Sequence, residues 1–355
     1  MSIPTEPLAA RPDGSGEAAP EALTAAFSRA ADLLRAAEKV MVTCHLGPDG
    51  DAVGAMVAMA SLLKQRGAQV TLYNPDLVPR RLKWMRPCKE VVHRLPRSAR
   101  FAATVVMDCG DAALLGPDFP GPEVTGQLIV IDHHASGRPF GDLFLCDPDA
   151  ASVGVMVYRL AASLGWPLTQ DAAVALYVSL VSDTGSFRYA NTNAEALRLA
   201  ADLVEHHGVG PWEVSERLSE QGTLARCRLL AAALATLEPV LGSHVVFMTI
   251  TEEMVKAAAA TWDDTDGMVN YARSIRGVEC GVLIAPAKRG GIRVSMRSKG
   301  HLIDAGAVCL ALGGGGHRGA AGCTLAGDLA SARAAVEAAL ASALAAAGVV
   351  LQAAG

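Results

Sequence analysis

The sequence lacks the features that would place the protein outside the cytosol or in a membrane. None of its eight cysteines stands in a CxxC pair or at regular spacing, which excludes a disulfide framework and a zinc finger and is typical of reduced thiols. The N-terminus has no basic segment followed by an apolar core, so we expect no secretory signal. No segment has the length and apolarity of a membrane span, and the Ala-rich stretch at 330–347 is expected to be a packing helix. These absences predict a cytoplasmic protein without a membrane partner.

The chain also lacks an excess of positive charge. Its 31 lysines and arginines are outnumbered by 36 acidic residues, which gives a net charge of −5. A dedicated binder of long duplex nucleic acid needs a basic surface to neutralise phosphates, so that class is excluded, whereas a local cationic pocket is not. Hydrophobic residues make up 51% of the 355 residues, which is enough for two domains with separate cores.

The sequence does contain a strongly apolar segment that ends in three polar residues. The run from Leu128 to Ile131 is followed at once by Asp132, His133 and His134. A run this apolar predicts a buried parallel strand, and open α/β sheets bind ligands at the carboxyl ends of their strands. Two imidazoles beside a carboxylate are costly to desolvate without a partner, and a metal ion is the usual one. For these three residues alone, a surface turn is the alternative.

Polar residues also follow the strand predicted at 40–44. His45, Asp49 and Asp51 lie in the loop after it, where a proline and a glycine bend the backbone. One imidazole and two carboxylates suit a borderline divalent cation such as Mn²⁺. Because the two acids are two residues apart, they could serve two different ions. The alternative is an Asp-rich N-cap turn before the helix expected at about 52–66.

Two further acids stand at the ends of apolar segments. Asp108 follows a third predicted strand at 103–107, and Asp183 follows the helix predicted at 171–181. Taken alone, Asp183 would be an ordinary turn at the end of a helix. Three separate strands that each end in an acid or a histidine are seldom arranged by chance, so we expect these side chains to form one site.

Taken in order, these motifs resemble those of the DHH phosphoesterase superfamily. The matching residues lie within roughly 40–190 and are His45-x3-Asp49-x-Asp51, Asp108, Asp132-His133-His134 and Asp183. The superfamily includes RecJ-like exonucleases, manganese-dependent family II pyrophosphatases, cyclic-dinucleotide phosphodiesterases and the small oligoribonucleases called nanoRNases. One departure is Ala55, which stands where many relatives carry Ser after the glycine of the first motif.

The resemblance implies a site for two divalent cations, with Mn²⁺ as the expected metal. It implies six ligands: His45 and Asp49 on one ion, Asp51, His133 and Asp183 on the other, and Asp108 between them. Two such cations clamp phosphoryl oxygens and lower the pKa of a bound water, which is chemistry for hydrolysing phosphate esters. His134 would stay off the metal, face the substrate phosphate and act in catalysis, and Asp132 would orient the histidines.

The C-terminal part of the chain carries two cationic motifs. Arg297 and Ser298 end a predicted strand, and a guanidinium group suits bidentate phosphate recognition, although a surface charge is the alternative. Further along, a loop of four glycines leads into His317 and Arg318, and glycines let backbone N–H groups approach an anion. Both motifs resemble the DHH-associated domain of the nanoRNase-type branch, with Arg318 in place of the usual Lys. The resemblance implies that the following residues bind substrate and that His317 is also catalytic: Arg297, Ser298, Gly315, Gly316, His317 and Arg318.

The periodicity and the resemblance together predict an α/β protein. We expect an N-terminal Rossmann-like domain with a mostly parallel sheet, a helical linker and a smaller C-terminal α/β domain. The expected boundaries are a disordered tail at 1–20, a DHH catalytic domain at 21–210, the linker at 211–238 and a DHH-associated substrate-binding domain at 239–348.

The expected activity is metal-dependent hydrolysis of short single-stranded oligonucleotides to mononucleotides, together with dephosphorylation of 3′-phosphoadenosine 5′-phosphate. A cleft between two domains would admit short chains and nucleotide phosphates and would exclude a long duplex. The first alternative is a phosphodiesterase for cyclic di-AMP or a linear dinucleotide, although the sensory domains of larger relatives are absent. A family II pyrophosphatase and a nucleotide-sensing module without turnover are the others. A homodimer is compatible with the sequence.

Overall fold

The computed structural model describes residues 18–135, 137–287 and 290–350, and the chain forms two compact units. The first unit runs to Leu218 and the second begins at Ser219, inside the segment predicted to be a linker. Each unit has its own sheet and its own core, and the α/β prediction is confirmed. Of the tail predicted at 1–20, residues 1–17 lie outside the described ranges and Ala18 begins the first helix. All eight cysteines are free thiols, as the sequence predicted.

The first unit is built on a parallel sheet. Its strands are β1 Lys39–Cys44, β2 Gln69–Leu72, β3 Ala103–Met107, β4 Gln127–Asp132 and β5 Leu143–Cys146. They pair in the order β2-β1-β3-β4-β5, and every pair is parallel. The order reverses between β1 and β3, which is where open sheets of this type bind their ligands. The predicted parallel sheet is therefore confirmed, with β5 as a strand that the sequence did not predict.

Helices cover this sheet, and two of them approach each other very closely. The helices up to residue 219 are α1 Ala18–Ala36, α2 Gly50–Gln65, α3 Pro122–Thr125, α4 Val153–Leu164, α5 Gln170–Asp183, α6 Ala194–His207 and α7 Pro211–Ser219. Short 3-10 helices lie at Arg80–Leu82, Arg86–Glu90 and Ala112–Leu115. A β-carbon on Gly54 of α2 would lie 2.5 Å from the carbonyl oxygen of Ala175 of α5, so only glycine fits there. This contact brings the start of α2 beside the end of α5.

The second unit is built on a mixed sheet. Its strands are β6 Glu238–Val240, β7 Val245–Thr249, β8 Cys280–Pro286, β9 Ile292–Ser298, β10 Gly315–His317 and β11 Ala320–Leu325. They pair in the order β10-β11-β9-β8-β7-β6, with β7 and β8 parallel and the other pairs antiparallel. The helices are α8 Leu224–Leu234, α9 Glu252–Ala257, α10 Val269–Arg273, α11 Ala305–Ala311 and α12 Leu329–Ala346, with a 3-10 helix at Trp262–Thr265.

The glycine-rich segment is an edge strand and not a loop, which corrects the expectation from the sequence. Gly315 and Gly316 lie in β10, which forms a hairpin with β11. A β-carbon on Gly316 would lie 2.5 Å from the Cα of Ala321, so this glycine is required by the close approach of the neighbouring strand.

α12 corrects the expectation that no segment could cross a membrane. By length and composition alone this helix could do so, although core helices of soluble proteins pass the same test. Its four fully or nearly buried residues recur at every fourth position and pack in the core of the second unit, as expected for a packing helix: Ala332, Val336, Leu340 and Leu344.

Candidate metal centre

The carboxyl ends of three adjacent strands bring the predicted ligands to one edge of the parallel sheet. His45 follows β1, Asp108 follows β3 and His133 follows β4. α2 and α5 supply the others, because Asp51 lies in the first turn of α2 and Asp183 is the last residue of α5. The close packing of these two helices sets the distance between the two acids.

The side chains meet in overlapping groups. In each group, one nitrogen or carboxylate oxygen of every residue lies within 4.8 Å of the others. The first group is His45, Asp49 and Asp108, the second group is Asp51, His133 and Asp183, and a third combination is Asp108, His133 and His134. Asp108 therefore belongs to the first group and, through the third combination, also lies beside His133 of the second group, so it links the two. The structure brings together all six residues that were predicted as metal ligands.

Asp108 is buried at the centre of this arrangement. Its Oδ2 lies 3.6 Å from Nε2 of His45, and its Oδ1 lies 3.8 Å from Nε2 of His133. The backbone has φ 55°, a left-handed conformation that Asp and Asn adopt more readily than other residues with a side chain. Oδ1 is buried and accepts no hydrogen bond from the described residues. Such an oxygen is costly unless a cation or a water binds it, so the residues present fit a metal.

Backbone carbonyls orient two of the histidines. Nδ1 of His45 donates to the carbonyl of Leu46 at 2.7 Å, and Nδ1 of His133 donates to the carbonyl of Ala150 at 2.9 Å. With Nδ1 used in this way, Nε2 is the ring nitrogen that faces the carboxylates, and in His133 it lies 3.5 Å from Oδ2 of Asp51. Ligand histidines of metal sites are held by the same kind of hydrogen bond.

His134 is oriented by a carboxylate instead. Its Nδ1 donates to Oδ1 of Asp132 at 2.7 Å, and its backbone N–H donates to the other oxygen at 3.2 Å. Asp132 is fully buried, so this pair is shielded from water. The side chain of His134 is 21% exposed whereas that of His133 is 5% exposed, which leaves His134 the more accessible of the two. The structure thus divides the orienting role, with Asp132 on His134 and a carbonyl on His133.

Asp51 is held by the start of α4, which sequence reasoning missed. Its carboxylate accepts hydrogen bonds from the backbone N–H of Val153 at 2.8 Å, from that of Gly154 at 3.4 Å and from the hydroxyl of Ser179. Ser152, the N-cap residue by position, makes no capping bond. Asp51 therefore satisfies amides at the N-terminus of a helix that begins 102 residues later, where a negative charge is favoured. No local sequence signal could indicate so distant a cap.

The buried carboxylates and imidazoles shift one another's protonation. Burial and then the charge of Asp108 raise the pKa of Asp51, and burial raises the pKa of Asp183 to about 7. Burial lowers the pKa of His45 and of His133, but the nearby carboxylates raise it by more. Asp108 is the main contributor in raising the pKa of His45 to about 10, and Asp51 in raising that of His133 to about 9. Without a metal the site therefore holds protons that cations would displace.

The predicted phosphate-binding residues lie in the second unit. Arg297 is half-buried on β9 and its Nη1 donates to the carbonyl of Met296 at 2.9 Å. The side chain of Arg318 is 63% exposed, and its Nε donates to the carbonyl of Gly300 at 2.7 Å. The backbone of His317 belongs to β10, but its side chain lies outside the described residues.

Ser298 has partners inside the second unit. It is buried, and its hydroxyl donates to the carbonyl of Ile303 at 2.7 Å and accepts from the backbone N–H of Gly300 at 2.9 Å. Glu279, also buried, accepts hydrogen bonds from the backbone N–H groups of His301 and Leu302. The hydroxyl of Ser298 thus helps to hold the turn after β9, a role that its position at a strand end did not reveal.

Comparison with known proteins identifies the family. Residues 39–180 match the DHH family, N-terminal domain, and residues 242–342 match the DHHA1 domain. The bifunctional oligoribonuclease and PAP phosphatase NrnA of Thermus thermophilus is 32% identical over 298 residues, which cover 84% of this chain and 87% of that protein. The chain belongs to the DHH family. As a DHH-family protein it is a phosphoesterase that depends on divalent cations.

Solved structures share the DHH-family fold. An exopolyphosphatase-related protein from Bacteroides fragilis superposes with a TM-score of 0.83 at 22% identity, covering 92% of this chain and 98% of that one. RecJ from Thermus thermophilus, in complex with Mn²⁺, superposes with a TM-score of 0.50 at 16% identity, covering 89% of this chain and 54% of that one. At these identities the likeness shows the fold alone.

Proposed function

We propose that this DHH-family enzyme uses two Mn²⁺ ions to hydrolyse short single-stranded oligonucleotides to mononucleotides, and that it also dephosphorylates 3′-phosphoadenosine 5′-phosphate. The observation that carries the proposal is the pair of ligand groups linked by Asp108, which belongs to the first group and faces His133 of the second. The relative from Thermus thermophilus is named for both activities and is similar over most of its length, which supports this choice of substrates.

The donor set supports the metal. We assign one ion to the first group and the other to the second group, with Asp108 contacting both. A mixture of imidazole and carboxylate donors suits Mn²⁺ among the divalent cations. When bound, the two cations would supply Lewis acidity toward the phosphoryl oxygens and lower the pKa of a bound water.

The remaining predicted residues would act on the substrate. Asp132 holds Nδ1 of His134, so we assign Nε2 of His134 to charge stabilisation at the phosphate or to protonation of the leaving oxygen. His317 is proposed as a second catalytic residue. We propose that Arg297 and Arg318 recognise phosphate with their guanidinium groups, and that N–H groups of Gly315 and Gly316 assist them.

The organisation of the chain is part of the proposal. We assign catalysis to a domain at 21–210 and substrate binding to a domain at 239–348, joined by a linker at 211–238. The net charge of −5 supports the exclusion of a long duplex, and the free thiols support a cytoplasmic location. A homodimer is compatible with the proposal and is not required by it.

One substrate panel tests the proposed activity. Labelled di- to pentanucleotides, 3′-phosphoadenosine 5′-phosphate, pyrophosphate and cyclic di-AMP would be incubated with the enzyme and Mn²⁺, and a chelator-treated sample would serve as the control. We expect the short oligonucleotides and 3′-phosphoadenosine 5′-phosphate to be hydrolysed, and only when metal is present. Turnover confined to pyrophosphate or to cyclic di-AMP would assign the site to a different substrate, and binding without turnover would indicate a sensor.

Replacing Arg297 with Gln tests phosphate recognition by the second unit. A charge-assisted hydrogen bond contributes about 1.5–3 kcal/mol, so KM for a dinucleotide should rise by about 10- to 100-fold, with the affinity for Mn²⁺ unchanged. Arg293 on the same strand offers a matched control, because its Nη2 is already bound to the hydroxyl of Thr265 at 2.7 Å. Equal KM values for Arg297→Gln and Arg293→Gln would remove Arg297 from the proposed binding site.

A further inference from the structure

We propose that Arg159 is a positioning residue for the metal centre. It pairs with Asp147 and Glu195, and these ion pairs hold the turn whose Ala150 carbonyl orients His133. The inference rests on the function proposed above, because it assigns to Arg159 an effect on one of the two proposed metal ions. None of the sequence motifs indicated this residue.

The ion pairs of Arg159 have a fixed geometry. Arg159 lies on α4, and its Nε and Nη2 donate to the two carboxylate oxygens of Glu195 at the start of α6, the first of these at 2.6 Å. Its Nη1 donates to Asp147, which follows β5. A planar guanidinium that bridges two carboxylates is directional, and these side chains are only 14–33% exposed. This network is therefore shielded far better than an ion pair on the open surface.

The backbone of Asp147 connects this network to the end of β4. Its N–H donates to the carbonyl of Asp132 at 3.1 Å, and its own carbonyl accepts from the N–H of Ala150 at 3.1 Å. Ala150 is 2% exposed, and its carbonyl accepts the hydrogen bond from Nδ1 of His133. A displacement of Asp147 would therefore rotate the imidazole of His133 relative to the carboxylates that its Nε2 faces.

The same turn also supports Asp183. Nδ2 of Asn191 donates to the carbonyl of Ala151 and to Oδ2 of Asp183, both at 3.0 Å. Nδ2 of Asn193, the N-cap of α6, donates to the carbonyl of Asp149 at 3.0 Å. The turn at 147–151 thus holds two members of the second group, His133 and Asp183. Among the described residues, no hydrogen bond joins this turn to His45 or Asp49 of the first group.

The arrangement predicts a loss of affinity at one metal ion only. Without Arg159, the carboxylates of Asp147 and Glu195 would face each other, half-buried and without their common cation, and the turn would shift. Outer partners of metal ligands affect affinity by about 10- to 100-fold, and we expect the lower end of that range for a residue that acts through a backbone turn. The second group should bind Mn²⁺ about tenfold more weakly, and the first group should be unaffected.

Calorimetric titration of the full-length, metal-free protein with Mn²⁺ tests the proposal. The variants are Arg159→Met, which keeps the length of the side chain, and Arg159→Lys, which keeps its charge and should restore part of the affinity. Asp183→Asn identifies the binding step that belongs to the second group. Arg86→Met is the matched control, because Arg86 pairs with Asp171 at 2.8 Å but is 81% exposed. Thermal unfolding without metal shows whether each variant is folded, and Glu195→Gln serves if Arg159→Met is not.

Each outcome of the titration assigns or removes the role of Arg159. A weaker second step beside an unchanged first step, with partial recovery in Arg159→Lys, supports it. Two unchanged steps, or two steps weakened together, would overturn it, since a merely structural residue would not distinguish between the ions. If the wild-type protein bound no pair of Mn²⁺ ions, the proposed function would fail instead, whatever the variants did.

Discussion

Replacing Asp108 with Asn is expected to lower the hydrolysis of a dinucleotide by about a thousandfold at saturating Mn²⁺. The change removes one negative charge and keeps the shape of the side chain. Asn also adopts the left-handed backbone conformation of this residue, so the fold should survive. Because Asp108 belongs to the first group and also faces His133 of the second, we expect both proposed cations to lose a ligand. Lewis-acid catalysis contributes several kcal/mol to such reactions. Initial rates at several Mn²⁺ concentrations measure the effect.

Asp111→Asn is the control for this variant. Asp111 lies three residues further along the chain, accepts a hydrogen bond from the N–H of Ala113 at 2.9 Å and belongs to neither ligand group. Its replacement should change the rate by no more than about twofold, because substitutions of surface residues outside the site usually have small effects. If Asp108→Asn kept a tenth of the wild-type rate or more, the role assigned to Asp108 would be wrong.

Removal of divalent cations is expected to abolish activity. It should also lower the stability of the fold, and the stabilisation that Mn²⁺ restores on binding should increase with pH. The pKa values of His45 and His133 are raised to about 10 and about 9 from an ordinary value of 6.5. Protonated imidazoles therefore stabilise the metal-free fold fully below about pH 6.5, and this contribution is lost as the pH rises toward 9 and 10. Mn²⁺ binding needs deprotonated imidazoles, so competition from protons weakens over the same interval.

Both effects increase the difference in stability between the Mn²⁺-loaded and the metal-free protein as the pH rises. Thermal unfolding with Mn²⁺ and with a chelator, measured from pH 6.5 to 9, gives the difference in Tm. We expect this difference to grow steadily across the range for the wild-type protein and to be much smaller for Asp108→Asn. A difference that stays constant or shrinks toward pH 9 would contradict the assignment of the two histidines as ligands.

The sequence predicted those parts of the molecule that depend on the local pattern of apolar and polar residues. β1, β3 and β4 are buried runs of β-branched and other apolar residues, and their bounds agree with the prediction to within about one residue. Because parallel strands bring their carboxyl ends to one edge, the polar residues that follow these runs could be expected to meet. The order of the motifs then indicated the family.

The parts that the sequence did not reveal depend on contacts between distant segments. The cap that Asp51 provides for α4 and the ion pairs of Arg159 join residues that no periodicity connects. Glycines weaken any strand pattern, so the sequence predicts a loop where β10 lies, and only the approach of β11 explains these glycines. Such contacts decide how the ligands are held, whereas the local pattern decides which ligands are present.

The central claim is that acids and imidazoles from separate strands and helices bind two cations with Asp108 between them. Anomalous diffraction from a crystal soaked in Mn²⁺ tests it most directly. We expect two peaks about 4 Å apart, one beside His45 and Asp49 and one beside His133 and Asp183, with Asp108 contacting both. A single peak, or peaks that lie away from Asp108, would contradict it.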